Sequence, residues 1–264
     1  ITWHSSTSQQ GFSKATVQAH VTALREAGVS ASSINQRLTA IRKLAVELAD
    51  NGVIHHSTAQ AVGRVEGVRK EGKRLGNWLT KEQAQQLLTL PPVVTVKGLR
   101  DRAILAVLLG CGLRREECAG VRGNHIQQRE GRWVIVDLVG KRSKTRSVPM
   151  PSWCKYAIDA YCQVAGIVDG VLFRSVRRGD HLQDSGMTAQ AIFDVVRDYA
   201  TQIGVTIAPH DLRRTFAKLA HKGNAPIEQI QLSLGHSSVQ TTERYIGVQQ
   251  DLSSAPCDAL GLRI

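Results

Sequence analysis

The sequence has no long apolar run, few aromatic residues and no nucleotide-binding loop. Its longest apolar stretch, Ala103 to Leu109, is much shorter than the roughly 20 residues that cross a membrane as a helix. Aromatic side chains make up 5% of the 264 residues and form no base-stacking motif of the kind that RNA-binding proteins use. The pattern G-x-x-x-x-G-K-[S/T] is also absent. These absences argue against a membrane protein, an RNA-binding protein and a P-loop enzyme.

Cysteine is scarce, and its spacing fits neither disulfides nor a metal site. The five cysteines are Cys111, Cys118, Cys154, Cys162 and Cys257. Their number is odd and no C-x-x-C pair occurs, so neither a disulfide framework nor a cysteine zinc site is indicated. No acidic cluster suggests Mg²⁺ either, and we predict no metal. With no visible signal peptide, the prediction is a cytoplasmic protein, associated with the nucleoid in a bacterium. The first residue is Ile1, which leaves open that the chain is a fragment.

Acidic residues are outnumbered throughout the chain. There are 34 Lys and Arg against 22 Asp and Glu, a net charge of +12. Such an excess favours a polyanionic partner, above all nucleic acid, whose condensed counterions are released on binding. An anionic membrane surface is a weaker alternative, because no predicted helix opposes a basic face to an aromatic and leucine-rich one. The ordinary alternative is a soluble protein that is merely basic.

Helical periodicity and one charged stretch divide the chain into two predicted domains. Apolar residues at helical spacing predict one helix from Ser13 to Ala27 and a second that ends at Asn51-Gly52, with a short third near Thr58 to Val65. The charged, glycine-bearing segment 69–77 is typical of a linker. We therefore predict domains over residues 1–74 and 78–264.

The second domain is predicted to be mostly helical, with one small hairpin sheet. Thr80 begins a capping-box pattern, a helix follows over Leu99 to Leu109, and a short helix starts at Arg114. A strand over residues 133–139 turns at 140–145 and returns over 146–150. Helices follow Pro151, with loops at 166–170 and 174–184. The predicted fold class is mainly α with a small antiparallel β-sheet (α+β).

Four segments of this domain carry polar residues suited to binding a phosphate. They hold Arg114, Lys144 in the basic hairpin tip 140–146, the pair His210 and Arg213, and the pair His236 and Tyr245. His210 and Arg213 are three residues apart on a helix begun by Pro209, so they are neighbours on the face opposite its apolar residues. Taken singly, each segment has an ordinary explanation: an exposed His beside an Arg, a buried Arg–Glu pair, a solvated turn, or a half-buried Tyr.

Together, the order and spacing of these segments resemble the catalytic domain of the tyrosine recombinases, the lambda-integrase family. That family's signature is Arg, Lys, His-x-x-Arg, His or Trp, and Tyr. The matching residues are Arg114 and Glu117 in G-L-R-x-x-E, Lys144 in G-K-x-x-K, His210 and Arg213 in H-x-L-R, His236 in L-G-H, and Tyr245 nine residues later. The resemblance extends from Leu79 to Gly247, and is less specific for the helices before Gly52, which resemble part of the family's DNA-gripping bundle.

The resemblance implies site-specific DNA recombination through a 3′-phosphotyrosine link at Tyr245, without metal or nucleotide cofactor. Arg114 and Arg213 would neutralise the phosphate oxygens, because guanidinium groups stay charged and donate in a fixed geometry. His210 would accept or relay the tyrosine proton, and His236 would hydrogen-bond the phosphate. Lys144 would protonate the leaving 5′ oxygen.

The implied partner is double-stranded DNA at a recombination site, bound by a tetramer with accessory DNA-bending proteins as further partners. We expect DNA contacts from Arg37, Lys43, Lys141, Arg142, Arg146 and Arg214. The tail 246–264 either docks on a neighbouring subunit, as in the family, or packs on its own domain. Two alternatives remain: relaxation of DNA by a type IB topoisomerase-like enzyme, and a non-catalytic DNA-binding derivative.

Two features depart from the family pattern. His125 stands where the family often has Asp, which concerns local packing because the position is outside the catalytic set. The N-terminal bundle of the family has four or more helices, against two clear ones and a short third in this sequence. A missing helix would weaken DNA binding.

Overall fold

The computed structural model describes residues 11–69, 77–139 and 145–247. The chain divides into two compact units between residues 74 and 75. Residues 70–76 of the predicted linker, 140–144 of the hairpin tip and 248–264 of the tail lie outside the described residues. Within the described ranges, no helix is long and apolar enough to cross a membrane.

Over its described residues 11–69, the N-terminal unit has three helices: α1 Lys14–Glu26, α2 Ala31–Asp50 and α3 His56–Gly63. Their apolar stripes meet in one core, because residues three and four apart share a helix face. The buried members are Val17, Val21, Ile34, Leu38, Ala45, Ala49, Ala59, Val62 and Val65. The segment after α3 is held to α2 by Asn35, whose side chain pairs with both backbone polar groups of Val68 at 2.9 Å.

The second unit has eight helices among the described residues, and the central one is mostly buried. They are α4 Lys81–Thr89, α5 Val96–Gly110, α6 Arg115–Ala119, α7 Ser152–Ala165, α8 Ala189–Gln202, α9 Pro209–Lys222, α10 Ile227–Leu234 and α11 Val239–Ile246 among the described residues. Residues 103–109 are all buried, so the apolar run of the sequence is the middle of α5. A helix that is apolar on all sides must be surrounded by protein. Thr80 caps α4 with the capping box that the sequence predicts.

A three-stranded antiparallel sheet lies on this helical core. Its strands are β1 Ile126–Arg129, β2 Arg132–Val139 and β3 Thr145–Pro149, in the order β1-β2-β3. Ile135 pairs with Ile126 on one side and Val148 on the other, and both Ile135 and Val148 are fully buried. The predicted hairpin is therefore confirmed, while β1 is an addition. The tip that carries Lys144 joins β2 to β3.

The predicted loop over 174–184 is wrong, because a second antiparallel hairpin occupies it. Its strands are β4 Arg174–Arg177 and β5 His181–Gly186. Asp180 at the turn accepts hydrogen bonds from the backbone N–H groups of Val96 (2.6 Å) and Lys97 (2.8 Å), and so caps the first turn of α5. The two sheets and the helices together make the predicted α+β fold.

Candidate active site

Arg213 is the buried centre of the cluster of predicted site residues. It lies on α9 and is 1% exposed. Its guanidinium donates to the carbonyl of Gly112 at 2.6 Å and to the carbonyl of Leu234. These carbonyls belong to the two segments that lead into Arg114 and His236. Arg213 therefore holds together the backbone that presents two other predicted site residues. This burial differs from the expectation that Arg213 and His210 share an exposed helix face.

The charge of Arg213 survives its burial. Burial and the neighbouring charge of Arg114 lower the pKa of Arg213 to about 10. That value is still far above neutrality, so the group remains a cation at pH 7. A buried cation is tolerated here because backbone carbonyls satisfy two of its donors.

Two glycines allow the close approaches on which the cluster depends. Gly112 has φ +60°, and a Cβ there would lie 2.7 Å from Cδ1 of Phe216. Gly235, which ends α10 with φ +62°, would place a Cβ 2.9 Å from Cδ of Arg146. Other residues adopt such positive φ angles at a cost, and neither site has room for a side chain.

Glu117 is the acidic partner of two arginines. Its carboxylate accepts from the backbone N–H of Arg114 at 2.8 Å and from the Arg114 guanidinium at 2.6 Å. It also accepts two hydrogen bonds of 2.8 Å from Arg146, which donates a further one of 2.9 Å to the carbonyl of Ser233. Burial alone would raise the pKa of Glu117, but the hydrogen bonds from Arg146 and Arg114 lower it to about 2. Glu117 thus fixes Arg114 and ties β3 to α6, while Arg146 joins β3 to the end of α10.

Tyr245 contacts two histidine rings. Its hydroxyl is 2.6 Å from Nε2 of His210 and 3.0 Å from Nδ1, so a hydrogen bond joins the two side chains, with Nε2 the nearer atom. Its ring makes edge contacts with His210 at 5.2 Å and His236 at 5.1 Å between ring centres. The Arg214 guanidinium lies 5.0 Å from the centre of the tyrosine ring. Both histidine rings therefore contact the ring that bears the hydroxyl.

Burial keeps His210, His236 and Tyr245 in their neutral forms near pH 7, and nearby positive charge adds to this effect for the two histidines. Burial and then the charges of Arg214 and Arg213 lower the pKa of His210. The same causes, with Arg213 and Arg114 as the main charges, lower the pKa of His236 to about 4. Burial raises the pKa of Tyr245, although Arg213 and Arg214 oppose that shift. At pH 7 the cluster therefore holds neutral imidazoles and a phenol beside cationic guanidinium groups.

The remaining predicted residues are placed as follows. Lys144, Lys141 and Arg142 lie outside the described residues. Arg37 and Lys43 are exposed on α2 in the N-terminal unit. Arg214 lies beside Tyr245, while Arg146 is turned towards Glu117 and Ser233 instead of solvent. His125 ends a single 3₁₀ turn, where its Nδ1 lies 3.4 Å from the N–H of Arg122.

Two contacts of the cluster were not predicted from the sequence. The first is the pair of hydrogen bonds between Arg146 and Glu117, which are 29 residues apart. The second is between Nδ1 of His236 and the hydroxyl of Thr242, at 2.9 Å. Thr242 is three residues before Tyr245, so a polar residue one helical turn from the tyrosine was a usable signal.

The arrangement is suited to phosphoryl transfer. Guanidinium groups and a ring N–H are donors for phosphate oxygens, and a phenol stands beside an imidazole able to take its proton. No group of three or more His, Cys, Asp or Glu within the described ranges is arranged to hold a metal ion.

Comparison with known proteins also relates this chain to tyrosine recombinases. Residues 77–251 match the sequence profile of the phage integrase family. The chain is 35% identical over 182 residues to the tyrosine recombinase XerD of Pseudomonas aeruginosa, covering 66% of this chain and 58% of that protein. It is 36% identical over 185 residues to the tyrosine recombinase XerC of Myxococcus xanthus, covering 67% and 59%. The matches span less than two thirds of the length of these relatives.

Solved structures share the fold at lower sequence identity. The XerH site-specific recombinase, solved with its difH substrate in a post-cleavage complex, gives a TM-score of 0.73 at 17% identity, over 90% of this chain and 70% of that one. A lambda integrase dimer bound to a core site gives 0.70 at 16% identity, over 92% and 83%. With the sequence match over most of the second unit, the chain belongs to the phage integrase family of tyrosine recombinases.

Proposed function

We propose that this protein is a site-specific tyrosine recombinase, which cuts and rejoins DNA through a 3′-phosphotyrosine intermediate at Tyr245. The observation that carries the proposal is the hydrogen bond between Tyr245 and His210 inside the cluster of Arg114, Arg213 and His236. A tyrosine beside a neutral imidazole and several cationic donors is an activated nucleophile at a phosphate-binding site.

In the cleavage step, the Tyr245 oxygen forms a bond to phosphorus as the bond to the 5′ oxygen breaks. His210 takes the phenol proton, because it is neutral at pH 7 and already within hydrogen-bonding distance. Arg114, Arg213 and His236 stabilise the charge on the non-bridging oxygens. Lys144 is proposed to protonate the leaving 5′ oxygen. Rejoining is the reverse attack by a 5′ hydroxyl, so the phosphotyrosine bond conserves the energy and no ATP is consumed.

The proposed partner is a double-stranded recombination site. The net charge of +12 supports it, because phosphate neutralisation releases counterions. The solved XerH and lambda integrase structures were obtained with DNA. Residues 1–74 are proposed to grip DNA with Arg37 and Lys43, and the second unit to contact DNA with Lys141, Arg142 and Arg214. A tetramer acting on two duplexes, and a cytoplasmic location, belong to the same proposal.

A covalent protein–DNA adduct is the direct test of this function. We expect the protein, incubated in EDTA with nicked duplexes that span its recombination site, to retain labelled DNA on a denaturing gel. Peptide mapping should place the adduct on Tyr245. Supercoil relaxation on DNA lacking the site would instead assign topoisomerase activity. Salt-sensitive binding without any adduct would assign a non-catalytic DNA-binding protein.

The rate of cleavage should change little between pH 7 and pH 8. The pKa of His210 lies below its ordinary value of 6.5, and a general base works when it is unprotonated. The rate should therefore fall only as the pH drops through that lowered pKa. Single-turnover adduct formation between pH 5 and 8, at DNA concentrations that saturate the protein at each pH, measures the profile. A rate that declines already between pH 8 and 7 would contradict His210 as the base.

A further inference from the structure

Thr242 uses its hydroxyl differently from other threonines in the helices of this protein. Within the described helices, Thr39, Thr89, Thr201 and Thr215 each donate to the carbonyl four residues earlier, at 2.8 to 3.2 Å. That bond is the usual one for a helical threonine. The Thr242 hydroxyl instead lies 2.9 Å from Nδ1 of His236. Thr242 is 0% exposed, so water does not replace this contact.

The position of Thr242 makes the contact relevant to both neighbours. Thr242 is one helical turn before Tyr245 on α11, and the His236 ring touches the Tyr245 ring. The hydrogen bond thus joins the helix of the tyrosine to the turn that presents His236. Among the described residues, no side chain or backbone group is hydrogen-bonded to Nε2 of His236, which leaves that nitrogen to serve a substrate.

The protonation of His236 decides what the ring can do. The ring is neutral near pH 7 and therefore carries a single N–H. Phosphate oxygens accept hydrogen bonds and do not donate them, so a ring that serves a phosphate must hold its proton on the nitrogen that faces it. With the proton on Nε2, Nδ1 is an acceptor and needs a donor. With the proton on Nδ1, the Nε2 lone pair would face the phosphate and repel it.

We propose that Thr242 is a positioning residue that donates its hydroxyl proton to Nδ1 of His236 and so holds the ring proton on Nε2, towards the phosphate. This proposal rests on the proposed recombinase function. It explains why a hydroxyl is buried one turn from Tyr245 and turned away from its own helix. The general rule is that the partner of one imidazole nitrogen sets which tautomer the other presents.

The tautomer of His236 can be measured in the free protein, apart from any activity. Two-bond ¹⁵N–¹H correlation spectra of histidine-labelled protein distinguish the two tautomers, and a His236→Gln variant identifies the signals. We expect wild type and Thr242→Ser to show the Nε2–H form, and Thr242→Val to lose it in favour of the Nδ1–H form or a mixture. An Nδ1–H form in wild type, or an unchanged spectrum in Thr242→Val, would overturn the proposal.

Single-turnover cleavage gives the second measurement. We expect Thr242→Val to cleave about 10- to 100-fold more slowly than wild type at saturating DNA, the usual cost of removing a group that orients a reacting one. Thr242→Ser should restore the rate. Should Thr242→Val not fold, Thr242→Ala and Thr242→Ser supply the same comparison, because they differ by one oxygen. Equal rates for Ala and Ser would overturn the proposal, whereas a wild type that never cleaves would overturn the recombinase function and leave the spectra to decide Thr242.

Discussion

Replacing Tyr245 by phenylalanine should abolish the covalent adduct and all strand exchange while leaving DNA binding intact. Phenylalanine keeps the ring that contacts His210 and His236 but removes the oxygen that would bond to phosphorus. Removal of a nucleophile lowers turnover by at least about 10⁴-fold in enzymes where it has been isolated. The lost hydrogen bond to His210 should cost only about 1 kcal/mol of stability. Suicide-substrate gels and gel-shift titrations measure the two effects separately.

Tyr156→Phe is the matched control for this experiment. Tyr156 lies on α7 with 70% of its surface exposed, and the same atom is removed there. It should form the adduct at the wild-type rate. An adduct that persists in Tyr245→Phe would mean that another residue is the nucleophile. Loss of DNA binding together with cleavage would mean that the substitution had disturbed the fold, which the melting temperature would reveal.

Of the substitutions considered, Glu117→Ala should lower the free energy of unfolding the most. The side chain is 5% exposed and pairs with Arg146, whose side chain is 11% exposed. Removing one partner of a buried ion pair leaves an uncompensated charge, which typically costs roughly 3 to 5 kcal/mol. Arg114 loses a partner as well, so cleavage should slow even where the variant is folded. Urea unfolding at pH 7, followed by circular dichroism, measures the free-energy difference.

Glu116→Ala is the control, because Glu116 is the neighbouring residue in the same first turn of α6. Its side chain is 61% exposed and pairs with the exposed Arg115. Both substitutions remove one negative charge from the same helix start, so the helix-dipole contribution is matched. Glu116→Ala should change stability by less than about 1 kcal/mol. Equal losses for the two variants would show that Glu117 acts only as a helix-terminal charge.

Acidic pH should remove the contribution of Glu117 to the free energy of unfolding. Its folded-state pKa of about 2 is below the ordinary value of 4.5, so the folded form binds fewer protons than the unfolded form between those values. The stabilisation is therefore complete above pH 4.5 and declines as the pH falls towards 2. The stability gap between wild type and Glu117→Ala should narrow over that range.

More of the candidate site than of the surrounding fold could be predicted from the sequence. Arg114, His210, Arg213, His236 and Tyr245 were all selected from motif spacing, and the structure brings them into one cluster. Their local signals are strong, because reactive chemistry requires particular side chains at particular helix starts and turns. The burial of Arg213 could not be predicted, since the carbonyls that satisfy it are 101 and 21 residues away.

The hairpin of β4 and β5 shows a second limit of local reasoning. Its strands are short and polar, and they lack the alternation of apolar residues that marks a half-buried strand. What holds it in place includes the cap that Asp180 gives to α5, a contact across 84 residues. The predicted role of Lys144 rests on the sequence motif alone, because this residue lies outside the described residues.

Under the proposed function, the way in which Arg213 joins distant backbone segments makes DNA cleavage depend on completed folding. Arg114, His236 and Tyr245 are spread over more than half of the second unit's length, and they meet because one guanidinium fastens the carbonyls of Gly112 and Leu234. An unfolded chain has Tyr245 without an imidazole or a guanidinium beside it. Under the proposed function, DNA cleavage therefore requires a chain that has finished folding.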